Sequence, residues 1–203
     1  MKKDSESTRQ GIIDAAIHLI RAHGDTAKVT VREICGRANV GAGLINYHFQ
    51  TKEKLIDLCV QKIIGGVIGG FDALEQSLSL SPLDKIRVLL KLNFKFLVEN
   101  PGIFRVSILS DLTGGTADDN SAQVHAVYFK LLQKLYGAEK LDAEISAIAR
   151  VLVATVQVSF LRMRAIRDGE GLDLSDEAAR DAFLDRVIDR ILHDLPDGAH
   201  RGA

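Results

Sequence analysis

Two short helical patterns separated by one tight turn lie between Thr30 and Phe49, and they constrain the fold of this 203-residue chain more than any other feature. Thr30 and Glu33 stand at the spacing where a hydroxyl and a carboxylate each accept a bond from an otherwise unpaired backbone N–H, so a helix is predicted to start there. Val31, Ile34, Cys35 and Ala38 fall on one face of that helix. Asn39 follows, the residue after glycine most tolerant of the left-handed conformation that ends helices. From Ala42 a second helix is predicted, with Leu44 and Ile45 inward, Asn46, Tyr47 and His48 near its end, and Phe49 as an apolar plug. Two short helices joined by a turn are the layout of a helix-turn-helix, whose second helix lies in the major groove of DNA.

The residues from Val40 to Leu55, VGAGLINYHFQTKEKL, resemble the signature of the TetR family of one-component transcriptional repressors: a turn Val, a small-residue helix start, Leu-Ile-x-Tyr-His-Phe, a gap, then Lys-Glu and Leu. The similarity runs from about Gly11 to Leu58, a quarter of the chain. Capping, turn, aromatic and basic positions all occur in order, which is more specific than a bare helix-turn-helix pattern. The resemblance implies an all-α fold: a three-helix DNA-binding domain at 1–54, then a larger helical effector-binding and dimerisation domain at 55–203, about nine helices in all. It also implies that Tyr47 and His48 are phosphate-contacting groups and that Lys52 is the basic residue at the next helix start.

Affinity for DNA comes mainly from phosphate contacts and sequence choice from side chains at base edges. Gly41, Ala42 and Gly43 open the second helix, so its backbone can approach the duplex closely and its unpaired N–H groups can meet a phosphate. Most TetR-like sequences carry Ser or Thr where Gly41 stands, and its absence weakens the cap. Asn46 replaces the family's commoner Tyr, and an amide there can pair with adenine N6/N7. Thr30 can bond a phosphate while capping its helix. Each has a plainer alternative: Tyr47 as a brace of the small domain, His48 as a hydrogen-bonded structural imidazole, Asn46 as a solvated side chain.

The net charge of −1 argues, by itself, against a nucleic-acid binder. Its distribution argues the other way. Up to Lys54 there are nine Lys/Arg against six Asp/Glu, a net +3, and the remainder carries −4, as expected if one end meets phosphates. Cys35 and Cys59 sit in apolar helical patterns without metal-ligand spacing, which suggests buried thiols in a reducing cytoplasm. The opening MKKDSESTRQ has no apolar run behind its lysines, so no signal peptide is expected. The longest apolar run, Val151 to Leu161, is about half of what a bilayer needs, so a soluble, cytoplasmic protein with no membrane partner is predicted.

Ser7 with Gln10 predicts a second capping box, opening a helix whose stripe of Ile12, Ile13, Ala16, Ile17 and Ile20 runs to Gly24. Arg9 and Arg21 fall off that stripe, on what is expected to be a solvated face, with a phosphate contact by Arg9 as the second reading. Thr51 caps a long fourth helix that carries Gly65, Gly66, Gly69 and Gly70, each costing about 1 kcal/mol against Ala in a helix interior. Close packing of another helix against small residues would offset this; a flexible joint that a ligand stiffens or bends is the second reading. Further helices are expected from Pro82 to Val98, Gly102 to Leu112, Ser121 to Tyr136, Asp142 to Arg167 and Ser175 to Leu195, with a frayed tail after Pro196.

The second part shows no nucleophile elbow, no paired His-Glu helix motif and no phosphate-cradling glycine loop, so no catalytic residue is assigned and no enzyme is expected. Asp111, Asp118, Asp119 and His125 cluster loosely without the pattern of a metal site, and no cofactor is implied. By the resemblance, an effector pocket lies within the helical body; Leu74, Phe94, Phe104, Ile108, Phe129 and Val158 are its candidate lining, with core packing the default for each. Few charges fall inside that body, which points to an apolar or weakly polar effector. The last two long helices are the natural homodimer surface, because a palindromic operator needs two reading heads about 34 to 36 Å apart or multiples of that. The expected function is a ligand-released homodimeric repressor on double-stranded DNA. A regulator without an inducer, and a helical enzyme or carrier with a vestigial helix-turn-helix, are the alternatives.

Overall fold

Helix signals run the length of the chain, and in the computed structural model, which describes residues 2–192, they become ten α-helices with no strand among the described residues. In order these are α1 (Lys2–His23), α2 (Val31–Ala38), α3 (Ala42–Phe49), α4 (Lys52–Ser77), α5 (Pro82–Glu99), α6 (Pro101–Gly114), α7 (Asn120–Tyr136), α8 (Asp142–Leu161), α9 (Met163–Glu170) and α10 (Glu177–Ile191). The all-α class is as predicted. The count exceeds nine because the expected Asp142–Arg167 helix breaks at Arg162, whose φ of −106° and ψ of 8° leave the helical region. None of the side chains of α9 is buried, so no packing holds the register of α8 past Leu161. Leu195 and the tail after Pro196 lie outside the described residues.

The described residues divide into two compact units. One comprises the chain up to Val67 together with Asn100–Thr116; the other comprises Ile68–Glu99 together with the chain from Ala117 onward. This differs from a division at residue 54: the first unit takes in the front of α4 and all of α6, and the boundary falls inside α4.

In the first unit the core is aliphatic. Ile12, Ile13, Ile20, Ile34 and Leu55 have no exposed surface and Ile45 has almost none. The first helix starts at Lys2, well before the Thr8 start that the Ser7–Gln10 pair predicts. Helical backbone continues through Ser7, and the Gln10 amide donates instead to Asp14 one turn on, at 2.7 Å. Gly24 ends the helix at φ 62°. Gly102, at the start of α6, is required by space: a Cβ there would stand 2.8 Å from the Gly24 carbonyl oxygen and 2.9 Å from the Asp25 Cα.

In the second unit α5 packs against α7, α8 and α10. Its Ile86, Leu90 and Phe94 are fully buried with Leu131, Leu132, Leu152 and Leu184. Ser81 caps α5 as predicted, its hydroxyl accepting from the Asp84 N–H at 3.1 Å. A second face of α5 carries Arg87, Lys91 and Lys95 at four-residue intervals, and α10 answers with Glu177, Asp181, Asp185 and Asp189. The expectation that no segment suits a bilayer needs correction. The full α8 is long and apolar enough to cross a membrane by length and composition, because the part of the helix that precedes the Val151–Leu161 run is also mostly apolar. Its Ile145, Ala149, Leu152, Val156 and Phe160 are nevertheless buried in the second unit.

Candidate nucleic-acid interface and effector recess

The Thr30 capping box forms in full. The Thr30 hydroxyl accepts from the Glu33 N–H at 3.2 Å, and the Glu33 carboxylate accepts from the Thr30 N–H at 2.9 Å. The same carboxylate accepts a hydrogen bond from the Thr30 hydroxyl at 2.7 Å, so donation by this side chain to a phosphate requires that bond to break. Thr30's hydrogen bonds, together with the nearby His23, hold the Glu33 carboxyl below the usual range. Asn39 ends α2 in the left-handed region, φ 53° and ψ 48°, as its position in the sequence predicts.

Helix α3 starts at Gly41 without a side-chain cap. It is anchored by Ile45 and Phe49, one turn apart, exposed by 1% and 6%. Its opposite face carries Gly43, Asn46, Tyr47 and Gln50, all exposed. Leu44, expected inward, is 38% exposed, because the Ile45–Phe49 row fixes the helix about its axis and turns position 44 outward. Tyr47 is 76% exposed, so it does not brace the domain. Its ring meets the His48 ring edge to face at 4.9 Å. Among the described residues the side chains of Asn46, Tyr47, His48 and Lys52 make no hydrogen bond or ion pair. A Cβ at Gly41 or Gly43 would meet nothing within 4 Å, so internal packing does not require either glycine.

Two features of this face were not apparent in the sequence. Arg9 is not on a solvated face: its guanidinium lies over the Phe49 ring, 5.4 Å from the centroid, with Glu6 at 3.7 Å. Its position, one turn before Ile12 and Ile13, continues the buried stripe, and that spacing was the available signal. Gln50 adopts φ 68° and ψ −52°, and the Thr51 N–H donates to the Phe49 carbonyl at 2.8 Å. This is the strained γ-turn, rare for a residue with a side chain. The Lys54 ammonium donates to the Gln50 side-chain oxygen over it.

The six candidate effector-lining residues do not come together in one unit. Phe104 and Ile108 are buried in the first, whereas Leu74, Phe94, Phe129 and Val158 belong to the second. Phe94 is fully buried core, Leu74 is half-buried, and Phe129 is half-buried with its ring stacked on His125 at 6.1 Å. Val158 is 49% exposed, contrary to its expected interior position, because it lies on the side of α8 opposite the Leu152–Val156 row. The second unit instead holds a small recess of about 10 Å³, lined by Ile68 and Phe71 of α4, Leu89 and Asn93 of α5, and Val127 and Tyr128 of α7. The buried Tyr128 hydroxyl is hydrogen-bonded to Asn93, and burial pushes its pKa up.

Other polar groups noted in the sequence have partners. Gln61 donates to Asp111 at 2.9 Å within the first unit, Asp119 caps α7, and His125 lies 3.1 Å from the Ser146 carbonyl oxygen. The Cys59 thiol is buried, points to the Ile13 carbonyl oxygen and has its pKa pushed up to about 12, whereas Cys35 is half-buried. Cβ atoms added to Gly66, Gly69 or Gly70 would find open space, so close packing does not explain these three glycines.

A capped helix-turn-helix with an outward polar face thus stands in the first unit, and a second helical unit follows it in the chain. Residues 12–59 match the family model of bacterial regulatory proteins of the TetR family. This segment belongs to that family, and the chain has the TetR-family regulator fold. No curated protein matches the chain. Among solved structures, a TetR-family transcriptional regulator from Pectobacterium atrosepticum is similar at TM-score 0.69 and 17% identity, covering 97% of this chain and 98% of its own. RolR in complex with resorcinol is similar at 0.62 and 18%, covering 98% and 92%. FadR from Bacillus subtilis in complex with stearoyl-CoA is similar at 0.61 and 16%, covering 90% and 96%. At these identities the likeness is one of fold.

Proposed function

We propose that this protein is a cytoplasmic, homodimeric transcriptional repressor, without a cofactor or enzymatic activity, that a small apolar or weakly polar effector releases from a palindromic operator. The observation that carries the reading is the outward face of α3. The side chains of Asn46, Tyr47, His48 and Lys52 have no hydrogen-bond or ion-pair partner among the described residues, beside two glycines for which internal packing gives no reason. Phosphate oxygens suit Tyr47, His48, Lys52 and the N–H groups of Gly41, Ala42 and Gly43, and a base edge suits Asn46. Thr30 contributes by fixing α2 through its cap.

An exposed stripe on α8 supports the dimer. Ala147, Val151, Ala154 and Val158 follow one another at four- and three-residue steps and are all exposed. This is the 3.5-residue seam that a second helix covers. Solved regulators of this fold holding stearoyl-CoA and resorcinol support a ligand-responsive second unit. The effector acts through α4, bending it at the glycines between Gly65 and Gly70.

Operator binding by Asn46→Ala and Lys52→Ala across a salt series tests the DNA assignment. Asn46→Ala is expected to relax sequence choice by about 1 to 3 kcal/mol at one base pair, and Lys52→Ala to weaken all sequences alike and flatten the salt slope by about one unit. Unchanged binding in both variants removes α3 from the groove.

A further inference from the structure

The recess between α4, α5 and α7 has apolar walls and one polar spot, the Asn93–Tyr128 pair. An amide and a phenol together offer hydrogen-bond donors and acceptors and carry no charge at neutral pH. Among the described residues no charged side chain lines the recess. The cations of α5 nearest in sequence point elsewhere: Arg87 is paired with Asp185 and Asp189, Lys91 with Asp181 and Asp185, and Lys95 with Glu177. Those three share one face of α5, whereas Leu89 and Asn93, two residues out of step with them, occupy another.

The present volume admits about one water, so a ligand must widen the recess. The wall with room to shift is on α4. Phe71 is half-buried and rests edge to face on Phe96 at 5.7 Å, and Gly69 and Gly70, just before it, have open space around them. Displacing Phe71 therefore disturbs α4 where it carries no side chains to resist.

We propose that this recess is the effector site, that it takes a neutral ligand with an apolar body and one hydroxyl, carbonyl or amide group read by Asn93 and Tyr128, and that it rejects carboxylates. The inference rests on the ligand-responsive reading above and adds the ligand's charge and its contacts. A carboxylate buried against these walls would lose its hydration and gain no cation. A neutral group exchanges one hydrogen bond for another.

1-Octanol and octanoate, equal in length and opposite in this respect, are the probes, titrated calorimetrically at pH 8 into the full-length protein, Asn93→Leu and Tyr128→Phe. Octanol is expected to bind saturably, octanoate at least tenfold more weakly, and each variant to reduce octanol binding at least fivefold while leaving octanoate unchanged. Tyr128→Phe keeps the ring volume, so a folding failure of Asn93→Leu leaves the test intact. Octanoate binding as tightly as octanol, octanol binding unaffected by either variant, or no saturable octanol binding overturns the inference. A parallel gel shift on the DNA upstream of its own gene separates the two claims. Octanol that binds as expected but leaves the protein–DNA complex unchanged overturns the ligand-released reading and upholds the site chemistry.

Discussion

At the scale of single residues, glycines with opposite surroundings serve different ends. Gly102 faces the backbone of Gly24 and Asp25 at under 3 Å, and backbone atoms cannot yield as a side-chain tip does. Gly66 and Gly69 face open space. Helix propensity alone favours alanine by about 1 kcal/mol at each. The expected result of denaturant unfolding is a change of sign: Gly102→Ala loses about 1 to 3 kcal/mol through overpacking, whereas Gly66→Ala with Gly69→Ala gains stability. If these two glycines form the flexing point, the stabilised double variant keeps its operator affinity and loses its response to effector. The sequence shows that these glycines are unusual for a helix but not which kind each is, because that depends on what lies opposite.

At the scale of elements, the clearest local signals were legible and the three-dimensional pairings were not. The Thr30–Glu33 box, Asn39, Ser81 and the Ile45–Phe49 anchor all follow from bonds or contacts within a few residues. Arg9 over Phe49, the strained Gln50 and the Asn93–Tyr128 pair depend on partners or backbone angles that spacing does not specify. The face-to-face match of α5 and α10 was missed for the same reason, although its four-residue charge intervals are visible on each helix. Burial alone would push the Asp185 carboxyl up, but hydrogen bonds and charge from Lys91 and Arg87 outweigh it and hold the group below its ordinary value. A depressed carboxylate contributes stability above its unfolded pKa, about 3.9, and loses it as pH falls through the folded value. Arg87, raised although burial opposes it, stays charged throughout. Asp185→Asn is therefore expected to be less stable than the parent at pH 6. The gap should close below pH 4; a gap that persists to pH 2 in denaturant titrations excludes this origin.

At the scale of the whole molecule, the proposed homodimer is tested on the exposed apolar stripe of α8. Val151 and Val158 are half exposed, as aliphatic side chains on a seam are before a second copy covers them. Replacing both with Glu places like charges at the centre of that seam while leaving the buried row of Leu152 and Val156 untouched. Sedimentation is expected to show monomers, and operator affinity should fall by at least tenfold because one reading head is held without the other. A variant that sediments as a dimer would move the interface off this face. The resemblance to the family was legible from one quarter of the chain; the exposed stripe proposed as the interface needed the exposure of each turn of α8.

The turn at Gln50 has a mechanical consequence. Holding a side-chain-bearing residue in that shape costs on the order of 1 to 3 kcal/mol, and the Thr51 amide locked onto the Phe49 carbonyl leaves no slack on either side. The end of α3 and the start of α4 are thus held at a fixed angle, and any rotation of the first turn of α4 turns the outward face of α3 with it.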